Sequence, residues 1–153
     1  MKVSDVMTHG IETIAGEASA ADAAKRMKFL NVGILPVLDG DRVVGVVTDR
    51  DLTIRILADP AGARWTPVLE AATRRFVSIS EEVDVDQAID VMCAEGISRL
   101  IVVDGSGRPI GVLSAGDIAA QTSSERVSEL HRILGMKYRE RHARSLAHAS
   151  RRW

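Results

Sequence analysis

Cysteine occurs once, at Cys93, so neither an intrachain disulfide nor a zinc cage of cysteines is open to this chain. Aromatic residues are almost as scarce: two Trp, one Tyr and two Phe among 153 residues. That argues against the stacked side-chain platforms that hold single-stranded nucleic acid. An excess of one charge is lacking too. Twenty basic and 21 acidic side chains leave a formal net charge of -1, so any basic patch is local. No apolar run approaches the ~18 residues of a membrane helix. The longest candidates are cut by Gly, Asp or Pro, as in GILPVLDGDRVVGVVTDRD. The opening MKVSDVMTHG has no apolar core of a secretion signal. These absences lead to the expectation of a reduced, cytoplasmic chain without membrane association.

What is present is a core of small aliphatics. The chain is 46% hydrophobic and 27% charged, which suits one compact domain or two very small intimate ones and excludes disorder. Abundant Val and Ala fit helices lying closely on Val-rich strands. The chain also repeats itself. Val3, Thr8, Ile14, Glu17, Ala23, Met27, Leu35, Val37 and Asp39 recur 65 residues later as Val68, Thr73, Ile79, Glu82, Ala88, Met92, Leu100, Val102 and Asp104. Beyond Asp39 and Asp104 the offset is 66, matching Gly45, Val46 and Asp51 to Gly111, Val112 and Asp117. The inserted residue falls in a turn: Asp39-Gly-Asp and Asp104-Gly-Ser-Gly each separate two β-branched runs, the pattern of a hairpin.

Each repeat reads β-α-β-β-α. Short strands are expected at Ile11 to Ile14 and Phe76 to Ile79, then helix starts at Ser19-x-x-Asp22 and Asp84-x-x-Gln87. Ala20, Ala23, Met27 and Leu30 fall on one helix face, and Val85, Ala88, Ile89 and Met92 on the other's. Paired strands follow, Ile34 to Leu38 with Val43 to Val47 and Leu100 to Val103 with Ile110 to Leu113, and each pair leads into a helix at Asp49 or Ala115. The expected organisation is a first repeat over 1–58, a linker over 59–67, a second repeat over 68–121 and a basic amphipathic helical tail over 122–153. The fold class is α/β (α+β). Two such units are expected to pack pseudo-symmetrically, since neither buries enough apolar surface alone.

The final strand of each repeat runs into Gly45-Val-Val-Thr48-Asp49-Arg50-Asp51 and Gly111-Val-Leu-Ser114-Ala115-Gly116-Asp117. A Thr or Ser followed three residues later by an acid is a capping box, and capping alone would account for both occurrences. The same pair can also grip a ribose, whose vicinal hydroxyls donate to one carboxylate. Helix amides nearby would favour phosphate.

The repeat resembles the CBS domain, named after cystathionine β-synthase, and the chain resembles a tandem CBS pair over roughly residues 1 to 120. Val3-Ser-Asp-Val-Met7-Thr8, Gly33-Ile-Leu-Pro-Val37 and the Gly45 to Asp51 motif carry the likeness. It implies a non-catalytic regulatory module that binds AMP, ADP, ATP or S-adenosylmethionine, with Thr48 and Asp51, and Ser114 and Asp117, on the ribose. It further implies pocket walls at Thr13, Ile14, Val32 and Pro36, and at Ser78, Ile79, Ile97 and Ile101. The second repeat departs from the pattern where Val68-Leu-Glu-Ala-Ala72-Thr73 lacks the Met, and at Ile101 in place of Pro36. Ser98-Arg99-Leu100-Ile-Val-Val-Asp104 resembles the strand from which the γ subunit of AMP-activated protein kinase presents an arginine to phosphate. Arg99 is therefore a candidate phosphate ligand, with Arg50 as a partial counterpart in the first motif. The resemblance also implies a homodimer of two pairs and a separate regulated enzyme or transporter.

Two other readings compete. Val46-Val-Thr-Asp49-Arg-Asp51-Leu-Thr53 matches the nucleophile signature of haloacid-dehalogenase-like phosphatases. The second copy lacks the first Asp, and that chemistry needs further acids for magnesium. Alternatively the tail does the binding: Lys137, Arg139, Arg141, Arg144, Arg151 and Arg152 face only Glu140 between Met136 and Trp153, a charge suited to nucleic acid or an acidic partner. Val127, Leu130, Leu134 and Tyr138 at helical spacing point instead to an amphipathic helix docked on the module or a dimer mate, and interleaved aromatics are missing, so nucleic acid is not expected. His9, His131, His142 and His148 are too scattered for a metal motif. Cys93, beside Met92, reads as a small core residue.

Overall fold

The computed structural model describes residues 1–59, 61–122 and 124–149. A 3-10 turn at Val3–Asp5 precedes β1 (Thr8–His9), β2 (Ile14–Ala15), α1 (Ala20–Leu30), β3 (Ile34–Asp39), β4 (Arg42–Thr48) and α2 (Asp49–Asp51), which continues as a π-helical segment over Leu52–Leu57. The second half holds α3 (Val68–Ala71), β5 (Ser78–Ser80), α4 (Val85–Glu95), β6 (Arg99–Val103), β7 (Pro109–Ser114), α5 (Ala115–Gln121) and the long α6 (Glu125–Ala149). The chain divides into two compact units. One comprises residues 1–8, 79–102 and 112–153, the other 9–78 and 103–111.

In the unit built on residues 9–78, three strands lie in the order β2-β3-β4. Residues β3 and β4 form the expected hairpin, with Leu35 opposite Val47 and Val37 opposite Gly45, and the register shifts between Val37 and Leu38. Alternation along β4 sends Gly45 and Val47 inward. Leu35, Val37 and Val47 are wholly buried with Ala23, Val68 and Ala71. Strand β2 pairs in parallel with β3 only at Ile14 and Ala15. The expected strand from Ile11 is thus shorter and displaced, and the Thr13 carbonyl before it accepts instead from Arg26 Nη1 at 2.8 Å. The other expected first strand, Phe76 to Ile79, is likewise displaced, to Ser78–Ser80. Gly45 is required by a close approach: a Cβ there would lie 3.0 Å from the Thr73 carbonyl oxygen, and Val46 exchanges both backbone hydrogen bonds with Thr73.

The two post-motif helices differ. Thr53 Oγ1 donates to the Asp49 carbonyl at 3.0 Å, and the ladder then widens so that Ala58 N–H reaches Thr53 O at 3.0 Å. A hydroxyl bonding four residues back competes with the α-helical ladder and favours such a bulge. The residue matching Thr53 is Ala119, which has no hydroxyl, and α5 is regular.

In the unit containing residues 79–102, the sheet order is β1-β7-β6-β5. Val85, Ala88, Ile89 and Met92 of α4 are all buried, as their spacing predicts. Asp84 caps α4, accepting from Asp86 N–H at 2.9 Å, and that backbone bond, followed by the amino terminus, holds its carboxyl below the usual range. Helix α6 buries Val127 and Leu130 and half-buries Leu134. Tyr138, expected on the same apolar stripe, is instead 65% exposed and stacks on His142 with ring centroids 6.2 Å apart. The stripe ends where α4 ends: Lys137 Nζ donates to the Ala94 carbonyl and Arg141 Nη2 to the Gly96 carbonyl at 3.0 Å. Cations there complement the negative end of the α4 dipole. Arg126 pairs with Asp90 and with Glu129, which holds its guanidinium firmly protonated. Cys93 is partly buried and its thiol is pushed up by that burial, as suits a packing residue.

Among the described residues no helix is long and apolar enough to cross a membrane.

Candidate functional site

Both motifs are capping boxes in full. Thr48 Oγ1 accepts from Asp51 N–H at 3.1 Å, while Asp51 Oδ2 accepts from Thr48 N–H and from Thr48 Oγ1, each at 2.9 Å. Ser114 and Asp117 reproduce this, with Asp117 Oδ2 taking Ser114 N–H at 2.8 Å and Ser114 Oγ at 2.6 Å, and Ser114 Oγ taking Asp117 N–H at 3.0 Å. The hydroxyl proton is directed into the box in each case. What remains outward is acceptor capacity only: a hydroxyl lone pair and the carboxylate Oδ1. Such a pair suits a ligand that brings two neighbouring donors. Capping and ligand binding are therefore compatible roles for one set of atoms.

The chain entering β3 and β6 is tied to the same helix starts. Asp49 N–H donates to the Gly33 carbonyl at 3.2 Å, and Ala115 N–H to the Ser98 carbonyl at 2.9 Å. Each tie puts the residues before a strand beside the residues after its hairpin partner, which sequence distance hides. The left-handed residues that end α1 and α4, Asn31 at φ 54° and Gly96 at φ 66°, turn the chain into these segments.

The other candidates divide by exposure. Ile14, Pro36, Ile79 and Ile101 are buried, Thr13 and Ile97 half-buried, and Val32 and Ser78 exposed. The buried four pack in the core. Arg50 and Arg99 are exposed, and among the described residues neither guanidinium has a side-chain partner. Arg99 opens β6.

One residue that the sequence reading passed over stands at the first motif. Arg55 Nη2 lies 3.6 Å from Asp51 Oδ1, and Arg55 Nη1 donates to the Ala71 carbonyl at 2.9 Å. The signal was available, because a base four residues after an acid shares its helix face. The tail cations also find partial employment within their own unit, as Lys137 and Arg141 cap α4. Arg139 and Arg144 are exposed, and Arg151 and Arg152 lie outside the described residues. No cluster of three or more His, Cys, Asp or Glu side chains suited to a metal occurs among the described residues.

Two β-α-β-β-α repeats, each ending its hairpin in a hydroxyl-carboxylate cap, define a tandem-repeat module of mixed α/β class. The chain belongs to the CBS domain family, whose model matches residues 3–58 and 68–123. It is 32% identical over 130 residues to the uncharacterized protein YlbB of Bacillus subtilis (strain 168), covering 82% of this chain and 85% of that one. It is 32% identical over 122 residues to the CBS domain-containing protein YhcV of the same organism, covering 80% and 86%. The CBS domain pair of protein MJ0100, solved in complex with 5'-methylthioadenosine and S-adenosyl-L-methionine, superposes with a TM-score of 0.69 at 27% identity, covering 79% of this chain and 94% of that one.

Proposed function

We propose that this chain is a non-catalytic regulatory module that binds an adenosine-containing ligand, AMP, ADP, ATP or S-adenosylmethionine, with Thr48 and Asp51, and Ser114 and Asp117, as the ribose acceptors. The observation that carries the reading is the duplicated cap, whose outward atoms are acceptors only and so match vicinal hydroxyls. The solved complex of the MJ0100 pair with two adenosine-containing molecules supports the ligand class. The pocket walls are Thr13, Ile14, Val32 and Pro36 in the first repeat and Ser78, Ile79, Ile97 and Ile101 in the second, with Arg99 as phosphate ligand of the second repeat and Arg50 as its partial counterpart in the first. The module acts as a homodimer and passes its state to a separate enzyme or transporter.

Titration calorimetry with AMP and adenosine on the wild type, Asp51→Ala and Asp117→Ala tests this. Each substitution is expected to lower affinity, and to lower stability by only the ~1 kcal/mol of a lost cap. Affinity unchanged in both variants, with stability alone reduced, would reduce the motifs to caps.

A further inference from the structure

The two caps share every internal hydrogen bond but differ in what meets their outward oxygen. At the first, Asp51 Oδ2 is filled by Thr48, and Oδ1 faces the Arg55 guanidinium at 3.6 Å. Arg55 is not a loose neighbour. Its other terminal nitrogen holds the Ala71 carbonyl at 2.9 Å, at the carboxyl end of α3, so the guanidinium is tethered between the motif and the chain that returns beside it. The Asp51 side chain is only 15% exposed, which leaves little room to turn Oδ1 elsewhere. At the second cap the residue matching Arg55 is Gln121, exposed at the end of α5. Among the described residues no cation faces Asp117. Its Oδ1 keeps full acceptor strength.

Ribose hydroxyls are neutral donors, and at Asp51 they meet a carboxylate oxygen already ion-paired, at 3.6 Å, with a cation that is held from behind. Resting on the adenosine-ligand reading above, we infer that Arg55 is a specificity-determining residue that weakens ribose binding at the first motif, so that the motif of Ser114 and Asp117 is the tighter adenosine site. The inequality arises inside the ribose cradle, independently of the phosphate-side arginines Arg50 and Arg99. It therefore persists for a ligand without phosphate.

Adenosine is for that reason the probe, titrated calorimetrically into the 153-residue chain. Asp117→Ala is expected to reduce overall affinity more than Asp51→Ala does. In the Asp117→Ala background, Arg55→Gln is expected to tighten adenosine binding by up to about fivefold, the size expected when one partly exposed ion pair is removed. Gln121→Arg in the Asp51→Ala background is expected to weaken it comparably. Because Arg55→Gln also releases the Ala71 carbonyl, the exchange at the exposed Gln121 keeps the test open if the first variant folds poorly. Binding that responds to Asp51→Ala and Asp117→Ala but to neither exchange overturns the role of Arg55 alone, as does a larger loss from Asp51→Ala than from Asp117→Ala. A wild-type chain that takes up no adenosine overturns the ligand reading and this inference together.

Discussion

Lys137 of α6 lies directly over Gly96, the residue that ends α4: a β-carbon on Gly96 would stand 2.5 Å from Lys137 Cδ. The glycine is thus selected twice, by its φ of 66° and by the side chain that crosses it to reach the Ala94 carbonyl. A left-handed backbone costs a residue with a Cβ roughly 1–2 kcal/mol. Gly96→Ala is expected to lower stability by more than that, and Lys137→Ala in the same chain to restore only the steric part. Denaturant melts of the two single variants and the double variant give the comparison. Strictly additive losses would show that Lys137 does not press on this position.

An apolar face remains uncovered in the unit of residues 9–78. Leu57, 83% exposed, lines a groove of about 580 Å³ with Ala20, Ala24, Met27, Leu52 and Ile56, and Phe29 of α1 is 89% exposed. Exposed apolar surface of this kind is what a homodimer would bury. Light scattering at micromolar concentration is expected to give a dimer, and Leu57→Glu a monomer. A wild-type monomer at that concentration would count against the assembly.

Arg99 opens β6 with an exposed guanidinium. Its proposed phosphate role makes Arg99→Ala costly for AMP, by about 1.5–3 kcal/mol, and nearly neutral for adenosine. Calorimetry with both ligands decides the matter. Equal losses would mean that Arg99 reads no phosphate.

The Asp104 carboxylate gathers the turn of the second hairpin. It accepts from Ser106 Oγ at 2.6 Å, from Ser106 N–H at 2.8 Å and from Arg108 N–H at 3.0 Å, and Arg108 Nε reaches its other oxygen at 3.2 Å. These bonds, that of the Ser106 hydroxyl foremost, pull its pKa down to about 2. A carboxyl with a lower pKa folded than unfolded adds stability that is complete above the ordinary range near ~4 and fades as pH falls toward 2. Carbon-detected NMR titration is expected to show the depressed midpoint, and Asp104→Asn to remove that part of the acid dependence. A midpoint at the ordinary aspartate value would contradict the turn's geometry.

Periodicity along the chain was enough to establish the duplication, the hairpins, the caps at Ser19 and Asp84 and the buried faces of α1 and α4. Each of these depends on residues within one turn or one strand pair, where spacing is geometry. The caps at Thr48 and Ser114 were equally legible, since the three bonds of each close within three residues. Other features depended on chain segments far apart in sequence. The need for Gly45 comes from Thr73, the tether on Arg55 from Ala71, and the partners of Lys137 and Arg141 from the last carbonyls of α4. A backbone carbonyl is the same acceptor at every position and leaves no mark in a sequence. Only the folded chain decided which cations those carbonyls would hold, and hence that Arg55, tethered to Ala71, would stand beside Asp51.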